Sequence, residues 1–301
     1  MNGAAMADTP TGLRLWVAGA RPRTLPAAVV PVAVGTAAAT GVGDGIVWWR
    51  AAAALVVSLA LQVATNYVND YADGERGTDD DRVGPLRLVG SGAATAGQVK
   101  RAALAAFGVA GLAGGALALA VGPELFVVGA VSMVAGWAYT GGPKPYGYYG
   151  LGEVFVFVFF GVVATVGSAY VHTGEVTGLS VVASIPVGLI AVALLVINNL
   201  RDIPGDTRSG KRTLAVRIGD TATRLLYVAL VVGVGLGVAA CALWFRWPAA
   251  LGLVGLLTAL GPVQAVRSGA IGRALIPVLG ATGRVQLTAG LGLAVGLALG
   301  A

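Results

Sequence analysis

The chain has 301 residues, 56% of them hydrophobic and 11% charged, where an ordinary soluble domain carries roughly 25% charged residues. That excludes a soluble enzyme, because apolar runs long enough to cross a hydrocarbon core of roughly 30 Å recur from end to end. The formal net charge of +6 is read as membrane topology, and nucleic acid is excluded as a partner.

The pattern predicts an all-α polytopic membrane protein, one transmembrane domain over 1–301 with a cytoplasmic segment at 1–20. Nine transmembrane spans are expected, near 22–41, 51–71, 101–121, 124–140, 153–172, 178–199, 222–244, 248–266 and 283–300. The start, "MNGAAMADTPTGLRLWVAGARPRTLP", lacks the order of a cleaved signal peptide, so the first span is expected to stay. Of the 20 lysines and arginines, all but Arg50 and Arg246 fall on one side of this scheme. The positive-inside rule then puts the N-terminus and the long loops in the cytoplasm and the C-terminus outside, in the inner (plasma) membrane of a cell. Cys241 and His172 are the only residues of their kinds. Neither a disulfide nor a Ser-His or Cys-His catalytic pair is therefore expected.

Span two ends in "NYVNDYADGERGTDDD" (66–81), where Asn66, Asn69, Asp70 and Asp73 share one face if the helix continues. Asp79, Asp80 and Asp81 follow beyond "GERGT". An isolated acidic run of this kind is usually a solvated helix end. Span six repeats the feature in "INNLRDIPGDTRSGKRTLAVRIGD", with Asn198, Asp202 and Asp206 at i, i+4 and i+8. The Asn-x-x-x-Asp pattern at 66–70 and 198–202 closes an even-numbered span on the same side both times, as two related halves would. Carboxylates gathered at a membrane mouth repel one another, so a cation is expected between them. Their hard oxygens, with no His or Cys nearby, suit Mg²⁺, which commonly completes its shell with phosphate oxygens. The interleaved Arg76, Arg82, Arg87, Lys211 and Arg212 complement such a ligand. The two clusters together are expected to hold a diphosphate through about two Mg²⁺ ions while the spans hold an apolar tail.

At these residues the chain resembles the UbiA superfamily of intramembrane prenyltransferases. The stretches "ARPRTLPAAVVPVAVGTA" (20–37), "RLVGSG" (87–92), "YTGGPKPYGYYGLGE" (139–153) and "NNLRDIPGDTRSGKRTLAVRIG" (198–219) look like its 1,4-dihydroxy-2-naphthoate polyprenyltransferase branch. The resemblance implies a nine-helix bundle around a cavity open to the cytoplasm and laterally to lipid. It further implies Asn69, Asp73, Asp79, Asp202 and Asp206 around Mg²⁺, with Asn66 and Asp70 close by. Asp73 and Asp79 stand further apart than in the superfamily's general motif, which leaves Asp70, Asp79 and Asp80 as alternatives for completing the first metal shell. The implied reaction joins the prenyl group of polyprenyl diphosphate to 1,4-dihydroxy-2-naphthoate with loss of carbon dioxide, giving demethylmenaquinone in menaquinone biosynthesis.

Several residues carry two readings. Lys144 contacts the diphosphate or helps deprotonate the aromatic hydroxyl, or it only anchors a helix end; Tyr139 is catalytic or an interfacial aromatic. Arg21 and Arg23 pair with the acceptor's carboxylate or merely fix the first helix. "EVFVFVFF" (153–160) lines a prenyl tunnel or faces lipid. Rival functions are a UbiA-type enzyme with another acceptor, such as 4-hydroxybenzoate, homogentisate or an isoprenoid ring in chlorophyll synthesis, and a cation transporter, which would place its acids nearer the bilayer midplane.

Overall fold

The computed structural model describes residues 10–43, 45–77 and 86–301, and all regular elements among them are helical. A short α1 (Leu13–Gly19) leads through the turn Pro22–Thr24 into α2 (Pro26–Ala39). There follow α3 (Trp48–Glu75), α4 (Ala96–Val121) and α5 (Glu124–Ala138). Next, α6 (Gly152–Val156) runs through a π-helical turn, Phe157–Val163, into α7 (Ala164–Thr173). The remainder is α8 (Gly178–Arg208), α9 (Leu214–Trp244), α10 (Leu251–Leu256), α11 (Leu260–Arg267) and α12 (Leu275–Leu299).

Seven helical segments are long and apolar enough to cross a membrane, and these fall on seven of the nine expected spans. The other two expected spans, 22–41 and 124–140, correspond to α2 and α5, with 14 and 15 residues. At 1.5 Å per residue these reach only about 21 and 22 Å, short of a full hydrocarbon core. Among the described residues the structure thus supports seven crossing segments plus two shorter apolar helices. The sequence reading also started the last helix too late. α12 begins at Leu275, so Arg284 sits exposed within it and not in a loop. A single arginine among small apolar residues does not end a helix, because its long stem reaches the interface.

The polar ends continue as helix. α3 runs through Asn66, Asn69, Asp70 and Asp73 to Glu75, and α8 carries Asn198, Asp202 and Asp206 to Arg208 despite Pro204. The α4 start is set by a capping box in which Thr95 accepts from the Gln98 N–H and the Gln98 side chain accepts from the Thr95 N–H. α8 is the most enclosed helix, packed against α9, α12, α2 and the π turn, and it supplies much of the main core, including Ile190, Val196 and Ile197. Small residues permit this approach: a Cβ on Gly161 of the π turn would stand 2.5 Å from the Gly188 Cα of α8.

Arg50 and Arg246, the two exceptions to the charge asymmetry, serve helix ends. Arg50 donates to the carbonyls of Val171 and Ala120, and Arg246 to those of Ala37, Thr40 and Leu297. Each spends its charge on C-terminal carbonyls that the hydrocarbon region cannot solvate.

Candidate active site

A cavity of about 600 Å³ lies between α2, α3, α5, α7 and α8. Its long wall is one face of α3, where Ala54, Ser58, Leu61, Thr65 and Asn69 recur at helical spacing. "EVFVFVFF" contributes Phe155, Phe159 and Phe160 to the opposite side, so this stretch lines the cavity. Its π turn shifts the helical register where the aromatic rings face inward, a feature frequent at functional sites.

A small polar pocket adjoins one end of the cavity and shares with it Arg21, Asn69, Arg87, Tyr139 and Asn198. Around this pocket stand Asn69 and Asp73 from α3 and Asn198, Asp202 and Asp206 from α8, with Lys211 just beyond. The structure therefore brings the two acidic helix ends to one place, with hard oxygens from both. The pairing has a different register from the 66–70 and 198–202 repeat, and it uses the α3 positions that the resemblance named. α3 holds two overlapping Asn-x-x-x-Asp patterns, and the pair facing Asn198 and Asp202 across the pocket is Asn69 and Asp73, not Asn66 and Asp70.

Asn66 and Asp70 do other work. The Asn66 amide donates to the carbonyl of Ala20 (2.9 Å) and to Thr24 Oγ1 (3.1 Å), and Gln62 also donates to Thr24. This fixes the turn that carries Arg21. Asp70 is fully buried and accepts the backbone N–H groups of Leu88 (2.8 Å) and Val89 (2.9 Å), one on each carboxylate oxygen. It thereby staples "RLVGSG" to α3 and places Arg87 over the pocket.

The pocket acids have protein cations beside them. Asp73, 2% exposed, accepts from the Tyr148 hydroxyl at 2.7 Å and from Lys211 Nζ at 3.1 Å, with Arg87 at 3.7 Å. Asp202 takes both arms of Arg201, at 2.7 and 2.8 Å, and Arg201 also donates to Asn198 at 2.8 Å. Thr140 donates to Asn69 at 2.6 Å, and Asp206 has the Thr213 hydroxyl 3.5 Å away. Arg76 is a brace: it donates to the carbonyls of Thr140 and Gly142 and lies over the Tyr148 ring. Arg201, Tyr148 and Thr140 were not among the candidates read from the sequence. Arg201 had a signal, since it lies one residue before Asp202 and three after Asn198 on the same polar helix end.

Arg21 adopts φ 54, the one non-glycine positive φ among the described residues. One of its buried guanidinium nitrogens has no hydrogen-bond partner, and its side chain lines both pockets. Strain of this kind persists where the surroundings impose it. Arg23 is exposed and borders the cavity. Tyr139 lines both pockets beside Tyr146. Burial pushes the Tyr146 hydroxyl pKa upward, keeping it a donor to the Ala135 carbonyl at 2.8 Å. Lys144 and Arg212 are exposed and line neither pocket. Asp79, Asp80 and Arg82 lie outside the described residues.

No three carboxylate, imidazole or thiol groups among the described residues converge on a single point. The donor set still fits Mg²⁺, which needs only one or two carboxylates per ion when waters and phosphate fill the remainder.

The UbiA prenyltransferase family model matches residues 28–269. Among curated proteins, 1,4-dihydroxy-2-naphthoate octaprenyltransferase of Mycobacterium tuberculosis is 49% identical over 285 residues, covering 95% of this chain and 97% of that one. The protein of the same name from Escherichia coli is 38% identical over 232 residues, 72% of this chain and 73% of that one. Among solved structures, a UbiA homolog from Aeropyrum pernix in its apo form superposes with a TM-score of 0.68 at 16% identity, covering 90% of this chain and 97% of that one. One from Archaeoglobus fulgidus, bound to DMAPP and Mg²⁺, gives 0.62 at 15% identity, covering 93% and 99%. An all-helical bundle with two asparagine- and aspartate-bearing helix ends around one pocket, matched by that family model over most of its length, belongs to the UbiA prenyltransferase family.

Proposed function

We propose that this chain is an Mg²⁺-dependent 1,4-dihydroxy-2-naphthoate polyprenyltransferase, which joins a prenyl chain from polyprenyl diphosphate to the naphthoate with loss of carbon dioxide. The observation that carries the reading is the continuity of an acidic and basic pocket with a mostly apolar cavity. A headgroup that needs metal and cations, joined to a greasy tail, fits that shape. The relatives named for this activity, at 38–49% identity, support the acceptor.

In this reading Asn69, Asp73, Asn198, Asp202 and Asp206 offer oxygens to about two Mg²⁺ ions, with Asp79 as a further ligand. When bound, the metal neutralises charge growing on the departing diphosphate. Arg87 and Lys211 hold the diphosphate's remaining oxygens, with Arg82, Lys144 and Arg212 as a positive rim that draws it in. Arg76 keeps the 140–148 segment, and with it Tyr148, against Asp73. The apolar cavity holds the tail and keeps water from the allylic cation. Tyr139, at the junction of the two pockets, is placed to meet the acceptor's hydroxyl, and Arg21 is placed to meet its carboxylate. Counting α2 and α5 as crossing elements gives nine passes in a plasma membrane, with the N-terminus and the site on the cytoplasmic side and the C-terminus outside.

The test is purified protein in liposomes with a polyprenyl diphosphate and three acceptors, with and without Mg²⁺. Prenylation of the naphthoate that stops on chelation is expected. Turnover of 4-hydroxybenzoate in its place overturns the acceptor, and ion flux without product overturns the enzyme reading in favour of a transporter.

A further inference from the structure

We propose that Glu153 holds the proton of the acceptor's hydroxyl during the transfer, receiving it through Tyr139 and giving it back when carbon dioxide leaves. The proposal rests on the transferase reading and names the base for that site.

Glu153 stands where an acid is costly. It is 7% exposed, in the first turn of α6, at the head of a 22-residue segment long and apolar enough to cross a membrane. Asp73 and Asp202 have lysine or arginine beside them, and Asp70 has two backbone N–H groups. No lysine or arginine among the described residues pairs with Glu153. Its Oε1 accepts from the Asn199 side-chain amide at 2.9 Å, and its buried Oε2 has no hydrogen-bond partner. A helix start favours an acid, but by much less than burial of an uncompensated carboxylate costs. Glutamine would fill the same space and keep the Asn199 bond without the charge, so packing does not account for the acid. An ionisable group in such a segment points to function.

Glu153 lines neither pocket itself and meets the site through two neighbours. Asn199 lines the polar pocket beside Asn198 and Asp202. Tyr139 lines both pockets and packs on the residue before Glu153: a Cβ on Gly152 would stand 3.2 Å from a Tyr139 ring carbon and 3.5 Å from its hydroxyl oxygen. Of the charged groups around that hydroxyl, Glu153 acts on it most strongly. A phenol oxygen both accepts and donates, so Tyr139 can take one proton while passing on its own.

The reaction needs a proton acceptor for one step only. The ring carbon that bears the carboxylate draws on the neighbouring hydroxyl's electrons to bond the allylic carbon, and the bond from that carbon to the diphosphate breaks with its electron pair leaving on the diphosphate. The hydroxyl becomes a ring carbonyl; its proton passes to the Tyr139 oxygen as the Tyr139 proton passes to Glu153 Oε2. When the carboxylate leaves as carbon dioxide, its bonding pair restores the aromatic ring, and the proton returns to the ring oxygen through the same two groups. No net proton is released. The base therefore needs no path to water, and enzymes make glutamate an effective base by burying it.

The test compares wild type, Glu153→Gln, Glu153→Asp and Tyr139→Phe in liposomes with a polyprenyl diphosphate, Mg²⁺ and 1,4-dihydroxy-2-naphthoate. Glu153→Gln is expected to melt like the wild type and to bind the naphthoate with the same affinity by calorimetry, while kcat falls by about 100-fold. Glu153→Asp, which keeps a base on a shorter stem, is expected to turn over faster than Glu153→Gln. The double variant Glu153→Gln/Tyr139→Phe is expected to be no slower than the slower single one, because both cut one path. A Glu153→Gln kcat within about 2-fold of the wild type's assigns the proton to the departing diphosphate and overturns the proposal. A loss confined to naphthoate affinity also overturns it, leaving Glu153 as a support for Asn199, and so does a Glu153→Gln that unfolds, since the amide keeps the Asn199 contact. Losses that add in the double variant, or an aspartate no faster than the amide, overturn it as well. A wild type that prenylates no acceptor overturns the transferase reading itself, a separate result.

Discussion

Asp70→Asn separates two roles that an acidic residue at this helix end can have. In the structure each carboxylate oxygen of Asp70 accepts one backbone N–H, from Leu88 and from Val89, in a fully buried setting. Asparagine keeps one acceptor and turns a second donor toward the other N–H. The change loses one charge-assisted bond, worth about 1.5–3 kcal/mol, and leaves a buried donor unsatisfied at about 1–3 kcal/mol, so the sum is about 2.5–6 kcal/mol. The 86–92 segment that carries Arg87 is the part expected to loosen first. Thermal unfolding in detergent should show a clear loss of stability, while pyrophosphate and Mg²⁺ binding by the folded fraction falls only as far as Arg87 is displaced. If Asp70→Asn melts like the wild type but no longer binds Mg²⁺, Asp70 is a metal ligand and the stapling argument is wrong.

Asp73→Asn has the opposite signature: the protein should remain inserted and folded, while turnover drops by about 100-fold or more and the Mg²⁺ requirement rises, as a titration of activity against metal will show. Arg246→Gln should leave kcat unchanged and cost about 1–3 kcal/mol, read from thermal unfolding, because the partly exposed guanidinium satisfies the carbonyls of Ala37, Thr40 and Leu297.

The acidic helix ends were legible because the pattern came twice: one run of asparagines and aspartates after an apolar span is usually a solvated helix end, but two on the same side point to a shared ligand. Register was not legible from spacing and charge, only from the resemblance. Asn66–Asp70 and Asn69–Asp73 are equivalent as patterns, and only the packing of α3 against the 86–92 segment sends Asp70 to backbone N–H groups and Asp73 to the pocket. Arg201 was hidden because it was counted among the topological arginines, and its bond to Asp202 depends on both being buried. The crossing count is least determined where hydropathy is least informative. Apolar runs at 22–41 and 124–140 looked long enough, yet α2 begins only after the Pro22–Thr24 turn, and α5 gives way after Ala138 to the loop that carries Tyr148. The π turn had no sequence signal, because an inserted residue in a helix leaves the apolar pattern of "FVFFGVV" unchanged.

Under the proposed function, the pairing of the pocket acids predicts how metal and diphosphate bind. Asp73 is held with Lys211 and Arg87, and Asp202 with Arg201. Separating such a buried pair by occupying one partner alone leaves the other charge uncompensated, which costs several kcal/mol. Mg²⁺ alone therefore competes with protein cations for the carboxylates, and diphosphate alone competes with carboxylates for the cations. Together they allow an exchange in which metal takes the carboxylates and phosphate oxygens take Lys211, Arg87 and Arg201, with no charge left without a partner. The two should accordingly bind with positive coupling of about 1–3 kcal/mol, a 5- to 150-fold gain in the affinity of each. Calorimetry with Mg²⁺ and a non-cleavable thiodiphosphate donor, each titrated with and without saturation by the other, measures this directly. A Mg²⁺ affinity that stays the same when the donor site is full would mean that the carboxylates are already open to metal, and that Arg201 and Lys211 do not stand in its place.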